Sequence, residues 1–354
     1  MIQKLRMWKY QLKQNLQNSV LIPVCRKSKF LSNLYYCFFS NEFAREHQKV
    51  LNGKYMHLQA LKSKRPNEFH LRREIHRLEK GLIMKEKKPV FAVDYINDVV
   101  NNYRILNTAY WQHGNGVDTD LLVWSSSVLK KYFATVDSHP AVEKAKGVFE
   151  SVNHYISPLP VLEEAIPYQR KSREYNAVSY ESLHRLAMQR RSVRWYVNKP
   201  VPRELIEQAV AVATLSPTAC NRQPYEFRVF DAEELKNLVG SIPMGIKGFY
   251  DNIPVFVVVV GKLSAYLSER DRHVIYIDGG LASMSFMLAL ETLGLSSVPI
   301  NWPDIEELEQ KMEQILELKE DERPLMLMGV GYADPEQKIP YSQKKSPQYL
   351  IKYN

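Results

Sequence analysis

The segment Pro254–Val260 (PVFVVVV) constrains the fold of this chain more than any other stretch. Successive side chains of a strand point to opposite faces of a sheet, so an entirely apolar strand must be covered on both faces. Two further β-forming stretches, Glu226–Phe230 and Pro324–Val330, lie on either side of it in the sequence. Helical patterns separate the three. The pattern predicts a domain of alternating helices and strands, with this strand at the centre of a sheet.

Three helices are predicted around this sheet. Tyr180–Arg190 is the first, and Pro202–Leu215 is the second. A proline suits the first turn of a helix, where its missing N–H is not needed. Asp278–Leu293 is the third and stops at Gly294, a natural C-cap. Small residues recur along this last helix, and they predict close approach to another helix at a subunit interface.

The positive charge is concentrated at the N-terminus. Residues 1–90 carry 20 Lys/Arg against 6 Asp/Glu, a balance of +14, so the rest of the chain sums to −5 against the total of +9. Such a basic segment can meet an anionic membrane, nucleic acid or an acidic partner. In residues 1–17 apolar side chains recur at helical spacing beside lysines, a pattern typical of a helix on an anionic membrane surface. A solvated helical surface and docking against the protein itself are the alternatives.

Prolines divide the chain before the predicted sheet. Pro158, Pro160 and Pro167 interrupt regular structure, and a charged stretch follows them. We therefore expect a basic, aromatic-rich segment over residues 1–65, a mainly helical region with its linker over 66–170, and the α+β domain over 171–354. Three scattered cysteines predict neither a disulfide framework nor a zinc site. No GxGxxG follows a predicted strand, which argues against a Rossmann site.

Two polar motifs lie where these elements end. The first is RRSVR, Arg190–Arg194, which places three guanidinium groups and a hydroxyl in one turn. Guanidinium groups bind phosphate through planar, permanently charged donor pairs. Alone, this motif also fits a solvated basic turn. The second is SPTACNRQPYEF, Ser216–Phe227, about two dozen residues later and between a helix and a strand.

Together the two motifs resemble the opening of the nitroreductase family. That family combines an Arg-x-Ser-x-Arg/Lys turn with a Pro-Ser-x-x-Asn-x-Gln-Pro-Trp motif, and Thr218 and Tyr225 are the replacements here. Asp278–Ile300 and Gly329–Lys345 resemble the family's interface helix and its closing strand with a basic tail. The resemblance covers about the C-terminal half of the chain. It implies a nitroreductase-like domain with a central mixed β-sheet, dimeric, behind a mainly helical N-terminal region.

The resemblance also implies a site for FMN at a homodimer interface. One subunit would hold the FMN phosphate, ribityl chain and pyrimidine edge through its arginine motif and basic tail, while the partner's second motif approaches the ring. The loop after the interface helix would lie against the flavin, and Lys247 is a further candidate at the pyrimidine end. The implied FMN-binding residues are Arg190, Arg191, Ser192, Arg194, Pro217, Thr218, Asn221, Gln223, Pro299, Ile300, Asn301, Lys344 and Lys345.

The expected activity is FMN-dependent oxidoreduction. By the resemblance, NAD(P)H would deliver hydride and a small aromatic, quinone or nitro compound would accept it, in ping-pong order. No catalytic acid or base is assigned, because the flavin carries the hard chemistry. Trp302 departs from the family pattern, and we expect it to stack on substrate or to narrow the pocket. The alternative is a flavin-binding or flavin-free interaction module of the same fold, serving cell-surface polysaccharide synthesis.

The partners expected are a second copy of the chain, a small-molecule acceptor and an anionic membrane surface contacted by the basic N-terminus. No specific nucleic acid is expected. The expected location is the cytoplasm, with peripheral attachment to the membrane.

Overall fold

The computed structural model describes residues 5–8, 11, 15–63, 65–86, 88–113, 116–153, 165–170 and 178–354. Two compact units are distinguished, Met1–Leu51 and Asn52–Asn354. Pro158 and Pro160 of the predicted linker lie outside the described residues.

The first unit is helical. A π-helical turn, Gln17–Leu21, leads into the short helix Ile22–Cys25. Helix α1, Lys29–Phe38, begins after Ser28, whose hydroxyl accepts a hydrogen bond from the Leu31 N–H at 3.2 Å. Helix α2, Ala44–Lys62, crosses from the first unit into the second.

Four further helices form a core of their own in the second unit. They are α3 (Glu68–Leu82), α4 (Ile96–His113), α5 (Thr119–Phe133) and α6 (Pro140–Asn153). The buried apolar side chains of this core all come from residues 71–149. Asp118 begins α5, because its carboxylate accepts the N–H groups of Asp120 and Leu121.

Residues His76–Leu82 (HRLEKGL) lie in α3 and contribute side chains to this helical core. Leu78 and Leu82 are buried in it. The Glu79 carboxylate accepts the indole N–H of Trp124 at 3.0 Å. Gly81 leaves space for the ring of Phe91, since a Cβ at residue 81 would lie 2.2 Å from that ring. The segment therefore packs helix on helix.

A four-stranded sheet organises the rest of the chain. Its strands are β1 (Tyr225–Phe230), β2 (Val255–Lys262), β3 (Ser296–Asn301) and β4 (Glu322–Gly331). Their order is β1-β2-β4-β3, and all three pairings are antiparallel. Tyr225 stands opposite Gly261, and Ser297 stands opposite Val330.

Strand β2 is buried on both faces, as its composition predicts. Phe256, Val258 and Val260 belong to one apolar cluster, and Val255, Val257 and Val259 belong to a second. The helices that flank the sheet are α7 (Tyr180–Gln189), α8 (Arg203–Ala213), α9 (Glu233–Ser241), α10 (Val274–Thr292) and α11 (Glu306–Leu316). The predicted α+β class is confirmed.

The sheet departs from the expected mixed type. Its ladders are antiparallel, and parallel pairing is confined to one bridge between Ser192 and Ser297. Strand β3 was predicted as a loop. Its serines and proline lower its β-propensity, but it completes the edge of β4 through backbone pairing. Helix α10 ends as predicted, with Gly294 at φ +76°.

Helix α10 is apolar almost all round. With the turn before it (Glu269–Thr292) it is long and apolar enough to cross a membrane, yet half of the most apolar stretch is buried in the protein. Gly279, Ala282, Ser283 and Ala289 are buried, and a Cβ at Gly279 would lie 2.6 Å from Leu325, whereas a Cβ at Gly280 would meet no atom within 4 Å. Tyr276, Ile277, Leu281 and Met284 are exposed on this helix, and Ile277, Leu281 and Met284 form an exposed apolar stripe. This stripe is a surface available for a partner.

We predict that Gly81→Ala lowers the free energy of unfolding by about 1–3 kcal/mol, because the added methyl displaces the Phe91 ring from a packed core. The control is Gly147→Ala in α6, where no atom lies within 4 Å of the new Cβ. There alanine should raise the stability by about 0.5–1 kcal/mol, as expected inside a helix. Urea denaturation measures both, and equal effects of the two changes would contradict the packing described.

Candidate functional site

The arginine turn, Arg190–Arg194, lies along the outer edge of β3. Helix α7 ends at Gln189 and Arg190 is its C-cap, with extended backbone angles. The chain then runs parallel to β3, and the Val193 N–H donates to the Ser297 carbonyl at 3.1 Å. Val193 and Tyr196 are buried beneath the turn. The turn is thus held by its apolar residues while its polar residues remain near the surface.

The guanidinium groups of the turn lie beside the C-terminal tail and an aromatic ring. Arg194 Nη1 donates to the Ser192 carbonyl at 3.2 Å, and its guanidinium lies 5.8 Å from the centre of the Phe249 ring. Arg191 Nη1 donates to the Tyr341 carbonyl at 3.3 Å. That contact brings the tail to the turn only a few residues before Lys344 and Lys345, both of which are exposed.

Three buried polar atoms at this corner have no hydrogen-bond partner in the described structure. They are Arg190 Nε, the Ser297 hydroxyl oxygen and Glu291 Oε1. Buried donors are normally satisfied, so the first two atoms indicate a missing acceptor. Burial raises the pKa of Glu291, while the charge of the nearby Arg190 opposes this shift.

The amide loop, Ser216–Pro224, is built from unusual backbone conformations. Cys220, Asn221 and Gln223 all have positive φ, at 55°, 53° and 51°. Left-handed angles are unfavourable for residues with a Cβ and are found mainly where surrounding contacts impose them. Within the loop, Thr218 Oγ1 accepts the Gln223 N–H at 3.1 Å. The threonine that replaces the family's serine therefore keeps a hydroxyl that shapes the loop.

A buried carboxylate on α10 fixes the amide loop from below. Asp278 Oδ2 accepts the Ala219 N–H and the Tyr266 hydroxyl, both at 3.1 Å. Arg222 is only 9% exposed, its guanidinium lies 4.8 Å from the centre of the Tyr266 ring, and its Nη1 donates to the Ala219 carbonyl. Burial raises the pKa of Asp278, while these hydrogen bonds and the Arg222 charge oppose that shift.

The helical region covers the amide loop from the other side. Helix α3 packs against the 219–221 turn. Helix α2 approaches the nearby turn so closely that a Cβ at Gly53 would lie 2.7 Å from Leu263. His57 Nδ1 donates to the Ser264 carbonyl at 2.8 Å, and Lys54 pairs with Glu269 at 2.6 Å. Burial lowers the pKa of His57, which favours the neutral ring.

A cleft of about 550 Å³ opens between α3 and β1, and Gln223 stands on its rim. Phe69, Tyr225 and Phe227 supply apolar surface, while Arg72 and Lys262 are among its charged residues. Several of these charges are already paired, Lys262 with Glu226 at 2.6 Å for example. The cleft is therefore a largely neutral space, of the size that small molecules occupy in proteins.

The segment predicted to lie against the flavin, Pro299–Asn301, has only part of its side chains accessible to a ligand. Pro299 is half-buried and Asn301 is exposed, but the Ile300 side chain is buried in the core. The interpretation of Trp302 is wrong. Its ring is buried in the same core, and its indole N–H donates to Glu309 Oε2 at 2.7 Å. Trp302 supports the packing of α11 against the sheet.

The arginine turn and the amide loop occupy diagonally opposite corners of the sheet. The amide loop leads into the start of β1, whereas the arginine turn lies beside the start of β3, at the opposite edge and the opposite end. With strands about 4.8 Å apart and a rise of about 3.3 Å per residue, the separation is on the order of 25 Å. Among the described residues, no hydrogen bond joins the two motifs.

A model of the family described as "Nitroreductase family" matches residues 187–243 and 241–332, which include both motifs and all four strands. Residues 187–332 are thus similar to the nitroreductase family. This similarity supports an oxidoreductase, as the two motifs predict.

Several known proteins are similar to part of this chain. An iodotyrosine deiodinase of Thermotoga neapolitana is 27% identical over 190 residues, which cover 49% of this chain and 97% of the relative. A putative NADH dehydrogenase/NAD(P)H nitroreductase of Methanothermobacter thermautotrophicus is 29% identical over 40% of this chain and 73% of its own. The solved structure of an FMN-dependent nitroreductase from Clostridium difficile R20291 has a TM-score of 0.41 and 22% identity, covering 48% of this chain and 97% of that one.

Three residues of this site escaped the sequence analysis: Arg222, Tyr266 and Asp278. The sequence patterns around these three residues give little indication of a role in the site. An aspartate at the start of an apolar stretch suggests a buried carboxylate, but its partners lie 12 and 59 residues away in the chain. The predicted residues of the arginine turn are brought together, and so are those of the amide loop. Among the described residues, Lys344 and Lys345 of the tail form no ion pair.

We predict that Asp278→Asn removes one component of the pH dependence of stability. Because its pKa is raised on folding, the native state binds a proton more tightly than the unfolded chain, and stability falls as pH rises from the ordinary aspartate range through the raised value. Asparagine cannot titrate, yet its oxygen still accepts from Ala219 and Tyr266. Denaturant unfolding between pH 4 and 8 should show the wild type losing stability relative to the variant as pH rises.

The control for this experiment is Glu320→Gln at an exposed carboxyl group. It should leave the pH profile parallel to that of the wild type. A constant difference between Asp278→Asn and the wild type at every pH would contradict the raised pKa.

Proposed function

We propose that the chain is an FMN-dependent oxidoreductase that takes hydride from NAD(P)H and passes it to a small acceptor. The observation that carries the proposal is the arginine turn with two unpartnered buried donors, Arg190 Nε in the turn and the Ser297 hydroxyl on the adjacent strand. Both fit an oxygen-rich anionic ligand, and the family match covers the same residues.

The residues of the arginine turn would bind the phosphate and ribityl end of FMN. Arg190 and Arg191 offer charge-assisted donors for phosphate oxygens, and Ser192 offers a hydroxyl. Lys344 and Lys345 stand on the tail that Arg191 already contacts. Arg194 would place a positive charge near the pyrimidine end and so favour negative charge there. When bound, FMN supplies hydride acceptance and donation, chemistry that no protein side chain provides.

The amide loop would serve a flavin held by another subunit. Within one chain the loop lies on the order of 25 Å from the arginine turn, longer than one FMN molecule. A symmetric dimer brings the loop of one copy to the turn of the other. The exposed stripe Ile277, Leu281 and Met284 on α10 recurs at helical spacing and offers the apolar surface for such an interface. Asp278, within this stripe's helix, then links the interface to the loop.

The acceptor belongs to one of two chemical classes. Nitroaromatic compounds and quinones follow from the family as such. Halogenated tyrosines are suggested by the relatives, several of which are iodotyrosine deiodinases. Anaerobic assays of the prereduced protein distinguish them: loss of nitroaromatic or quinone absorbance supports the first class, and release of free iodide from iodotyrosine supports the second.

We predict that the protein purifies with FMN and that Arg190→Ala/Arg194→Ala weakens FMN binding by about 100-fold or more, since hydrogen bonds to charged groups contribute about 1.5–3 kcal/mol each. The control is Arg185→Ala/Arg270→Ala, which removes the same charge from exposed positions. Fluorescence titration measures affinity, and circular dichroism verifies the fold. Full flavin occupancy in the double variant would refute the assignment.

A second prediction tests the shared site by complementation. One subunit carries Arg190→Ala/Arg194→Ala, and the other carries Asn221→Gly/Gln223→Gly, because glycine accepts the positive φ angles of that loop. Heterodimers purified through two different tags keep one intact site of two, so they should hold about half the wild-type FMN. Each variant alone should hold almost none.

If each flavin were bound by one chain alone, both sites of the heterodimer would be damaged and no FMN would return. A monomer that binds FMN would also refute the shared site. Bleaching of the flavin absorbance by anaerobic NADH or NADPH tests the donor. A colourless protein that takes up no FMN would favour the alternative function, an interaction module.

A further inference from the structure

The first unit exposes an unusual surface. Within the described part of residues 5–39, eleven large hydrophobic side chains are exposed, among them Phe30 at 70% and Phe38 at 76%. We call this set the apolar patch: Leu5, Met7, Trp8, Leu16, Val20, Ile22, Val24, Phe30, Tyr36, Phe38 and Phe39. Scattered apolar residues are normal on protein surfaces, but so dense a set within one short segment marks an interaction surface.

The charges within the segment that carries the apolar patch are all of one sign. Residues 1–41 contain seven Lys/Arg and no Asp or Glu, and the first acidic residue is Glu42. Arg6, Arg26, Lys27 and Lys29 are exposed, while Lys4, Lys9 and Lys13 lie outside the described residues. Lys27 and Lys29 flank Ser28, the N-cap of α1, and Phe30 follows directly. Cations and large apolar groups are therefore interleaved at this point of the surface.

We infer that this patch binds the surface of an anionic lipid bilayer. Exposed aliphatic and aromatic groups enter the boundary between headgroups and acyl chains, while lysine and arginine contact the anionic headgroups. A second copy of the chain would bring like charges together at the same patch, which opposes self-association. The phosphates and bases of a nucleic acid would contact the cations and the aromatic rings. A nucleic acid offers no apolar surface, however, for the exposed aliphatic side chains of Leu16, Val20, Ile22 and Val24.

The test is co-sedimentation of the full chain with vesicles of phosphatidylcholine alone and of phosphatidylcholine with 30% phosphatidylserine, at about 0.05 and 0.5 M salt. The full chain is required, because α2 packs against the turn at Leu263 and a truncation would disturb the domain. Binding is expected to anionic vesicles only and to weaken strongly at high salt. The variant Arg26→Gln/Lys27→Gln/Lys29→Gln should lower the partition coefficient on the order of 100-fold.

Matched controls separate the patch from net charge and from general hydrophobicity. Lys130→Gln/Lys131→Gln/Lys144→Gln removes the same charge from exposed positions of the helical region and should leave binding within about twofold. Phe30→Ser/Phe38→Ser should weaken binding at both salt concentrations, whereas Ile83→Ser/Met84→Ser, also exposed, should not. Thermal unfolding of each variant verifies the fold.

Several outcomes would overturn the inference. They are equal binding to both kinds of vesicle, no binding to either, and equal losses in the patch and control variants. A change of oligomeric state in Phe30→Ser/Phe38→Ser would assign the patch to a protein contact instead. Tighter binding to a single-stranded RNA oligonucleotide than to the anionic vesicles, measured at the same salt, would assign it to nucleic acid.

Discussion

The register of strand β2 is the constraint on which the rest of this site depends. β2 is buried on both faces and pairs with β1 on one side and β4 on the other. These two partner strands position the two motifs. The amide loop leads directly into β1, and the arginine turn lies beside β3, which pairs with the other edge of β4. A shift by one residue would turn Val257 and its neighbours to the wrong cluster and would move both motifs. A strand whose residues Val255–Val260 are all apolar thereby sets the distance between two polar motifs.

Much of this arrangement was predictable, because the decisive signals are local. The apolar run of β2, the proline near the start of α8 and Gly294 after α10 each determine local structure through the chemistry of neighbouring residues. The two motifs are equally local, and their spacing indicated the family. Strand β3 was missed because Ser296, Ser297 and Pro299 have little tendency to form a strand, and only pairing with β4 makes them one. The buried position of Trp302 depends on its hydrogen bond to Glu309 on α11. The residues next to Trp302 in the sequence do not indicate this contact.

The amide loop shows why part of the site stayed hidden from the sequence. Three residues with side chains adopt left-handed backbone angles there, each at a cost of about 1–3 kcal/mol. Such a loop exists only because other parts of the chain impose it. Asp278 binds its backbone from α10, Arg222 folds back over Tyr266, and α3 packs on its far side. None of these contacts follows from the composition of the loop, since the partners come from distant segments.

The packing of α3 against the 219–221 turn has a consequence for local opening. A strained loop held between two supports relaxes when either support detaches, so the helical region and the loop should open as one cooperative unit. Amide protons of α3 and of residues 219–223 would then exchange with a common free energy, although more than 130 residues separate them in the chain. The helices that precede the nitroreductase-like domain would in this way govern how often its loop leaves the geometry needed for ligand binding.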